Sequence, residues 1–138
     1  MNSLYLQLEP EDDVVYVTVA VLAGRFSGVA SPSFRTADLA AFAEHLNAYP
    51  LGPGILVESD PELSGPRRYA SITIRPYNST GMLLVAVQLR TEDSDEYVHE
   101  PLQVSACFTT TYSQLGSFQK SLSGVLMGKG SRALLEGL

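Results

Sequence analysis

Two histidines, one cysteine and two runs of carboxylates are the side chains that could carry chemistry in this chain. A hydrolytic triad needs a nucleophile, a base and a carboxylate that orients the base. His45 follows Glu44 on the polar side of a predicted helix, where a solvated surface position is the expected reading. His99 lies in an acidic stretch ahead of a predicted strand and shares the parity of Cys107. Eight residues of strand span roughly 26 Å, which keeps those two side chains apart. Cys107 is therefore read as a small structural residue.

Other motifs fail on spacing. Gly24-Arg25-Phe26-Ser27-Gly28 lacks the Gly-x-Ser-x-Gly order of a nucleophile elbow. Gly124-Val125-Leu126-Met127-Gly128-Lys129-Gly130 is one residue short of a phosphate loop and has Gly where Ser or Thr would bind magnesium. It also follows a helix, whereas a phosphate loop opens one, so a frayed helix end is the expectation. One cysteine allows neither an intramolecular disulfide nor a cysteine-based zinc site. The reading calls for no enzyme, no metal and no cofactor.

The acids are clustered: Glu9, Glu11, Asp12 and Asp13 form one group and Glu92, Asp93, Asp95, Glu96 and Glu100 a second, together nine of fifteen. Neither has the alternating oxygen ligands, turn glycine and distal glutamate of a calcium loop. Solvated strand-end loops are the plain explanation, and an acidic patch for a basic protein is the functional one. With a formal charge of −6, nucleic acid and anionic membranes are disfavoured as partners, because both are bound by clustered Lys and Arg. The first residues lack the basic and apolar regions of a secretory signal, and no apolar run is long enough for a bilayer, so a cytoplasmic protein is expected.

These residues must be carried by a single domain over residues 1–138, with 45% hydrophobic and 17% charged residues, a globular composition. Leu4, Leu6 and Leu8 alternate with polar neighbours ahead of a β-branched run, Val14 to Val21, which predicts a hairpin whose second strand is central and covered on both faces. A third, irregular strand reaches Ala30. Leu39, Phe42, Ala43 and Leu46 then recur at helical spacing, predicting a helix over 37–48 with Thr36 as N-cap.

Beyond Pro50-Leu51-Gly52-Pro53-Gly54, the pattern predicts a strand at Ile55 to Val57, a loop at 59–66, and a hairpin turning at Tyr77 to Gly81. A last strand runs through Leu102 to Thr109. Ser113 is offered as N-cap to a second helix striped by Leu115, Phe118, Leu122 and Val125, with fraying or one helical turn at Arg132 to Leu135. The fold class is thus α+β: an antiparallel sheet of about six or seven strands with two amphipathic helices, in the order β-β-(β)-α-β-β-β-β-α.

This pattern resembles the WapI-type immunity proteins of bacterial contact-dependent toxin systems. The resemblance rests on the Asp38-Leu39-x-x-Phe42-x-x-x-Leu46 helix after a two-strand start, the strands Tyr69 to Arg75 and Gly81 to Leu89, and the closing strand with its Leu115-x-x-Phe118-x-x-x-Leu122 helix. It covers most of the chain through architecture and hydrophobic spacing. It implies a non-enzymatic bacterial protein that binds and neutralises a cognate toxin, often a basic nuclease. Glu92, Asp93, Asp95 and Glu96, with Tyr97, are then the expected partner surface. The alternatives are a helix-grip small-ligand binder with an apolar cavity, and a subunit of a larger assembly or homodimer joined through Val14 to Val21 or the Cys107 face.

Overall fold

The computed structural model describes residues 1–92 and 101–138. The first alternating run becomes β1 (Ser3–Glu11) and the β-branched run β2 (Val14–Ala23), paired antiparallel from Ser3 opposite Leu22 to Glu11 opposite Val14. Asp12 turns the hairpin at φ 54°, a left-handed conformation that Asp tolerates better than most residues. β3 (Phe26–Ala30) pairs with the far half of β2, and the short β4 (Ser33–Arg35) pairs with its near half. A ninth strand, β9 (Arg132–Glu136), pairs with β1 and completes a five-stranded sheet.

The second sheet has four strands in sequence order: β5 (Ile55–Glu58), β6 (Tyr69–Pro76), β7 (Met82–Thr91) and β8 (Leu102–Thr111). The hairpin expected at Tyr77 to Gly81 joins β6 to β7. The α+β class, the antiparallel pairing and the two amphipathic helices are as the sequence predicts. The strands, however, are divided between two sheets, and the segment expected to fray or coil at Arg132 to Leu135 is a strand. Its pairing partner, β1, lies at the other end of the sequence, so no local pattern reveals it.

The sheets pack face to face with their strands crossed. β3, at the Ala23 end of β2, touches β7 and β8, and β4, at the Val14 end, touches the segment that follows β5. One sheet's strand direction therefore runs across the other's strands, the orthogonal mode of sheet packing. Val15, Val17, Val19 and Val21 point inward from β2 and are at most 2% exposed, as are Ile72, Ile74, Val85 and Val87 from β6 and β7. β2 is interior in its sheet, as expected, but its outer face is only half covered: Tyr16 is 48% and Leu22 39% exposed. β-branched residues suit a pleated, half-buried surface, so their density does not by itself report burial on both sides.

The helices bridge the two sheets. α1 (Thr36–His45) packs on β5 and on α3 (Tyr112–Leu126), and α3 packs on β1 and β9 of the first sheet and β8 of the second. Their stripes, Leu39/Phe42/Ala43 and Leu115/Phe118/Leu122/Val125, enter the same continuous core as Phe34 and Phe108. The cap of α3 is Thr111, whose Oγ1 accepts from Gln114 N, in place of Ser113. Thr36 is the first residue of α1, and its hydroxyl donates to Asp12 O at 2.8 Å while its amide donates to Asp13 O at 2.9 Å. Those two bonds fasten the helix start to the acidic hairpin tip.

The two sheets also meet at the chain's last residues. Gly137 N donates to Asn2 O and Leu138 N to Thr109 O, while Thr110 Oγ1 donates to Glu136 O. A Cβ on Gly137 would lie 2.5 Å from Phe108 Cδ2, so only glycine permits this approach. Among the described residues no helix is long and apolar enough to cross a membrane.

Candidate functional site

The start of β2 and the end of β5 bring separated acids to one end of the molecule. The β1–β2 tip carries Glu11, Asp12 and Asp13, and Val14 beside it pairs with Arg35. Arg35 reaches across to the connector after β5: its Nε donates to Asp60 Oδ2, and Nη2 lies 3.7 Å from Glu62 Oε2. Asp60 is built for that position. It is the N-cap of a one-turn helix, α2 (Pro61–Ser64), where its Oδ1 accepts from Glu62 N at 2.8 Å, and Pro61 supplies the preset φ of a first helical residue. Partial burial opposes the charged form of Asp60, but the Glu62 amide and the Arg35 guanidinium outweigh it and hold the carboxyl below its usual range.

Ser64 locks the same connector onto β4, its hydroxyl accepting from Ser33 N at 2.7 Å and donating to Ser33 O at 3.0 Å. The result is an open depression of about 490 Å³ whose lining includes Asp38, Glu58, Asp60 and Glu62, with Arg35 as its one cation. Arg35 is shared between Asp60 and Glu62, so Asp38 and Glu58 leave the depression with excess negative charge. No group of three or more His, Cys, Asp or Glu among the described residues has the geometry of a metal site. What this arrangement can do is attract and orient a cationic side chain.

A second depression, about 700 Å³, opens beside it on the outer face of the second sheet. Register puts Tyr69 opposite Arg90, and Arg90 opposite Gln103, with Glu58, Ser71, Gln88 and Ser105 in the next row. Tyr69 Oη donates to Glu58 Oε2 at 3.0 Å, and the Arg90 guanidinium carbon sits 4.6 Å from the centre of the Tyr69 ring. Stacking on the aromatic face restrains Arg90. Burial, reinforced by Glu58, pushes the Tyr69 phenol above its usual range although Ser71 and Arg90 act the other way. Glu58 lines both depressions and links them.

Of the acids and tyrosine expected to face a partner, Glu92 is exposed just beyond β7, next to the Tyr69–Arg90–Gln103 row. Asp93, Asp95, Glu96 and Tyr97 lie outside the described residues, as do His99 and Glu100. The first acidic cluster does join a larger acidic end, through Arg35 and Asp60. Asp38, Glu58, Asp60, Glu62, Tyr69 and Arg90 were not singled out from sequence as partner-facing residues. The Asp60-Pro61 pair ahead of Glu62 is a helix-start signal that points to the connector. Tyr69 and Arg90 meet only through strand register, which no motif encodes.

The other candidates resolve simply. His45 is exposed at the end of α1, and Cys107 is exposed on the outer face of β8. The glycine run after α3 is an ordered helix end: Lys129 N donates to Gly124 O and Gly128 N to Val125 O, with Gly128 at φ 85°. That is a Schellman motif, and it replaces the fraying expected there. No protein-family model matches this chain, nor does any curated protein or solved structure.

Proposed function

We propose that this domain is a non-enzymatic binding protein that recognises a basic protein partner through its acidic end, in the manner of the WapI-type immunity proteins its sequence resembles. The observation that carries the reading is the gathering of Asp38, Glu58, Asp60 and Glu62 around a single arginine, beside the Asp12–Asp13 hairpin tip, with the exposed Glu92 following β7 two strands away from β5. An acidic surface of this kind accelerates encounter with a basic partner, by roughly 10 to 10³-fold depending on salt. The Tyr69–Arg90 pair adds the residue types that most often anchor interfaces.

The helix-grip alternative requires an internal cavity. Phe34, Phe42, Phe118 and Leu122, each under 2% exposed, belong to the continuous core that links sheets and helices. That filling favours a surface partner over an enclosed ligand.

The experiment is co-expression with a secreted toxin encoded beside this gene, followed by binding kinetics at two salt concentrations. Reversing Asp38, Glu62 and Glu92 to lysine together should slow association and remove its salt dependence. Unchanged association by the triple variant would refute the acidic-end reading.

A further inference from the structure

The acidic end leaves unexplained an uncharged groove at the opposite end of the second sheet, where the β6–β7 hairpin meets the start of α3. About 410 Å³ in volume, it is lined by the rings of Tyr49, Tyr112, Pro50 and Pro76 and by the hairpin residues around Ser79 and Thr80, with no charged side chain among them. In a chain of net charge −6 this is a distinct chemical environment.

Its rings are arranged for contact. Tyr49 and Tyr112 meet edge to face with centroids 4.8 Å apart, which makes a notch with one ring as wall and the other as floor. Tyr49 is 80% exposed, a large apolar area to leave in water on a loop. Its polar side chains are hydroxyls, which can donate as well as accept, and one amide. Tyr112 Oη accepts from Leu51 N at 3.2 Å, which fixes the ring and leaves its own proton to give. The hydroxyls of Tyr49 and Ser79 have no hydrogen-bond partner among the described residues. Asn78 is committed to the turn, its Oδ1 accepting from Thr80 N and Met82 N.

Aromatic and proline walls with O–H donors suit a segment that offers flat apolar rings and carbonyl acceptors but few N–H donors. A polyproline II segment meets that description, since each proline removes one N–H and exposes its carbonyl to the side. It is also preformed, so it loses little entropy on docking to an open groove. The absence of charge in the lining matches an uncharged segment in preference to the basic partner assigned to the acidic end. We infer that the Tyr49–Tyr112 groove binds a proline-rich, uncharged polyproline II segment of a partner protein.

The test is titration of the isotope-labelled full chain with a capped decaproline peptide, read by amide chemical shifts and by tyrosine fluorescence, which no tryptophan obscures. Saturable shifts should appear at residues 49–51, 77–81 and 112 and be absent with a glycine–serine peptide of equal length. Tyr49→Ala should weaken binding by about tenfold or more, with an unchanged circular dichroism spectrum, and Tyr49→Phe should retain most of it. Lack of saturation with decaproline, equal shifts from the control peptide, or undiminished binding by Tyr49→Ala would each overturn the assignment. So would saturation of the groove by neutral oligosaccharides such as cellopentaose when decaproline leaves it unperturbed.

Discussion

Gln119 of α3 donates from Nε2 to the carbonyl oxygen of Ala43 in the last turn of α1, at 3.1 Å, and the same nitrogen reaches Ser123 Oγ at 2.9 Å. The last four carbonyls of a helix have no partner within it. Here one is satisfied by the neighbouring helix, through a side chain only 7% exposed. This hydrogen bond fixes how the two helices that bridge the sheets lie against each other.

Gln119→Met keeps volume but removes the donor, leaving a buried carbonyl without a partner. Stability should fall by about 1–3 kcal/mol, measured as the shift in urea midpoint with an unchanged m-value. An unaltered midpoint would mean that water satisfies Ala43 equally well.

Gly137→Ala should destabilise by about 1–3 kcal/mol, because its methyl would fall 2.5 Å from Phe108 Cδ2 and 2.9 Å from Asn2 Cβ. Phe108 is buried and cannot swing aside. Thermal unfolding of this variant against Gly52→Ala, where a Cβ meets nothing within 4 Å, separates the clash from any general effect of losing a glycine.

Asp60 makes stability depend on pH at the acidic end. Its folded carboxyl titrates below the ordinary range of an aspartate, so its contribution is complete above the unfolded value and disappears as pH falls through the folded one. Asp60→Asn should flatten the stability profile below about pH 4 and leave its shape at neutral pH unchanged. A wild-type profile identical to the variant's in acid would contradict the Arg35–Asp60 linkage.

Tyr69 gives the opposite sign at high pH. Its phenol titrates above the ordinary range of a tyrosine, so the fold favours the neutral form and loses that stabilisation as pH rises through the folded value. In a spectrophotometric titration Tyr69 should contribute a late step. Tyr69→Phe should delete that late step.

Much of the fold was legible because it is encoded locally. Alternation in Leu4/Leu6/Leu8, the Leu39/Phe42/Leu46 spacing and the Tyr77 to Gly81 turn each report a neighbour a few residues away. The division into two sheets was not legible, since it depends on which strands meet at a distance. β9 shows the difficulty most clearly: Arg-Ala-Leu-Leu-Glu is equally acceptable as helix, and only pairing with β1 makes it a strand. The acidic end was half legible. The hairpin acids stood out as a run, whereas Asp38, Glu58 and Glu62 are scattered in sequence and are collected by Arg35 and the Asp60 cap.

The attachment of β9 also governs the order in which this domain can assemble. Leu4 pairs with Leu135, so one side of β1 must wait for nearly the whole chain. Closing so long a loop costs conformational entropy before any contact repays it, and topologies of this kind fold slowly. The β6–β7 hairpin and its neighbours can form early from local contacts. The sheet that carries the hairpin acids is sealed last, leaving β1 as an open edge vulnerable to pairing with other chains until the final strand arrives.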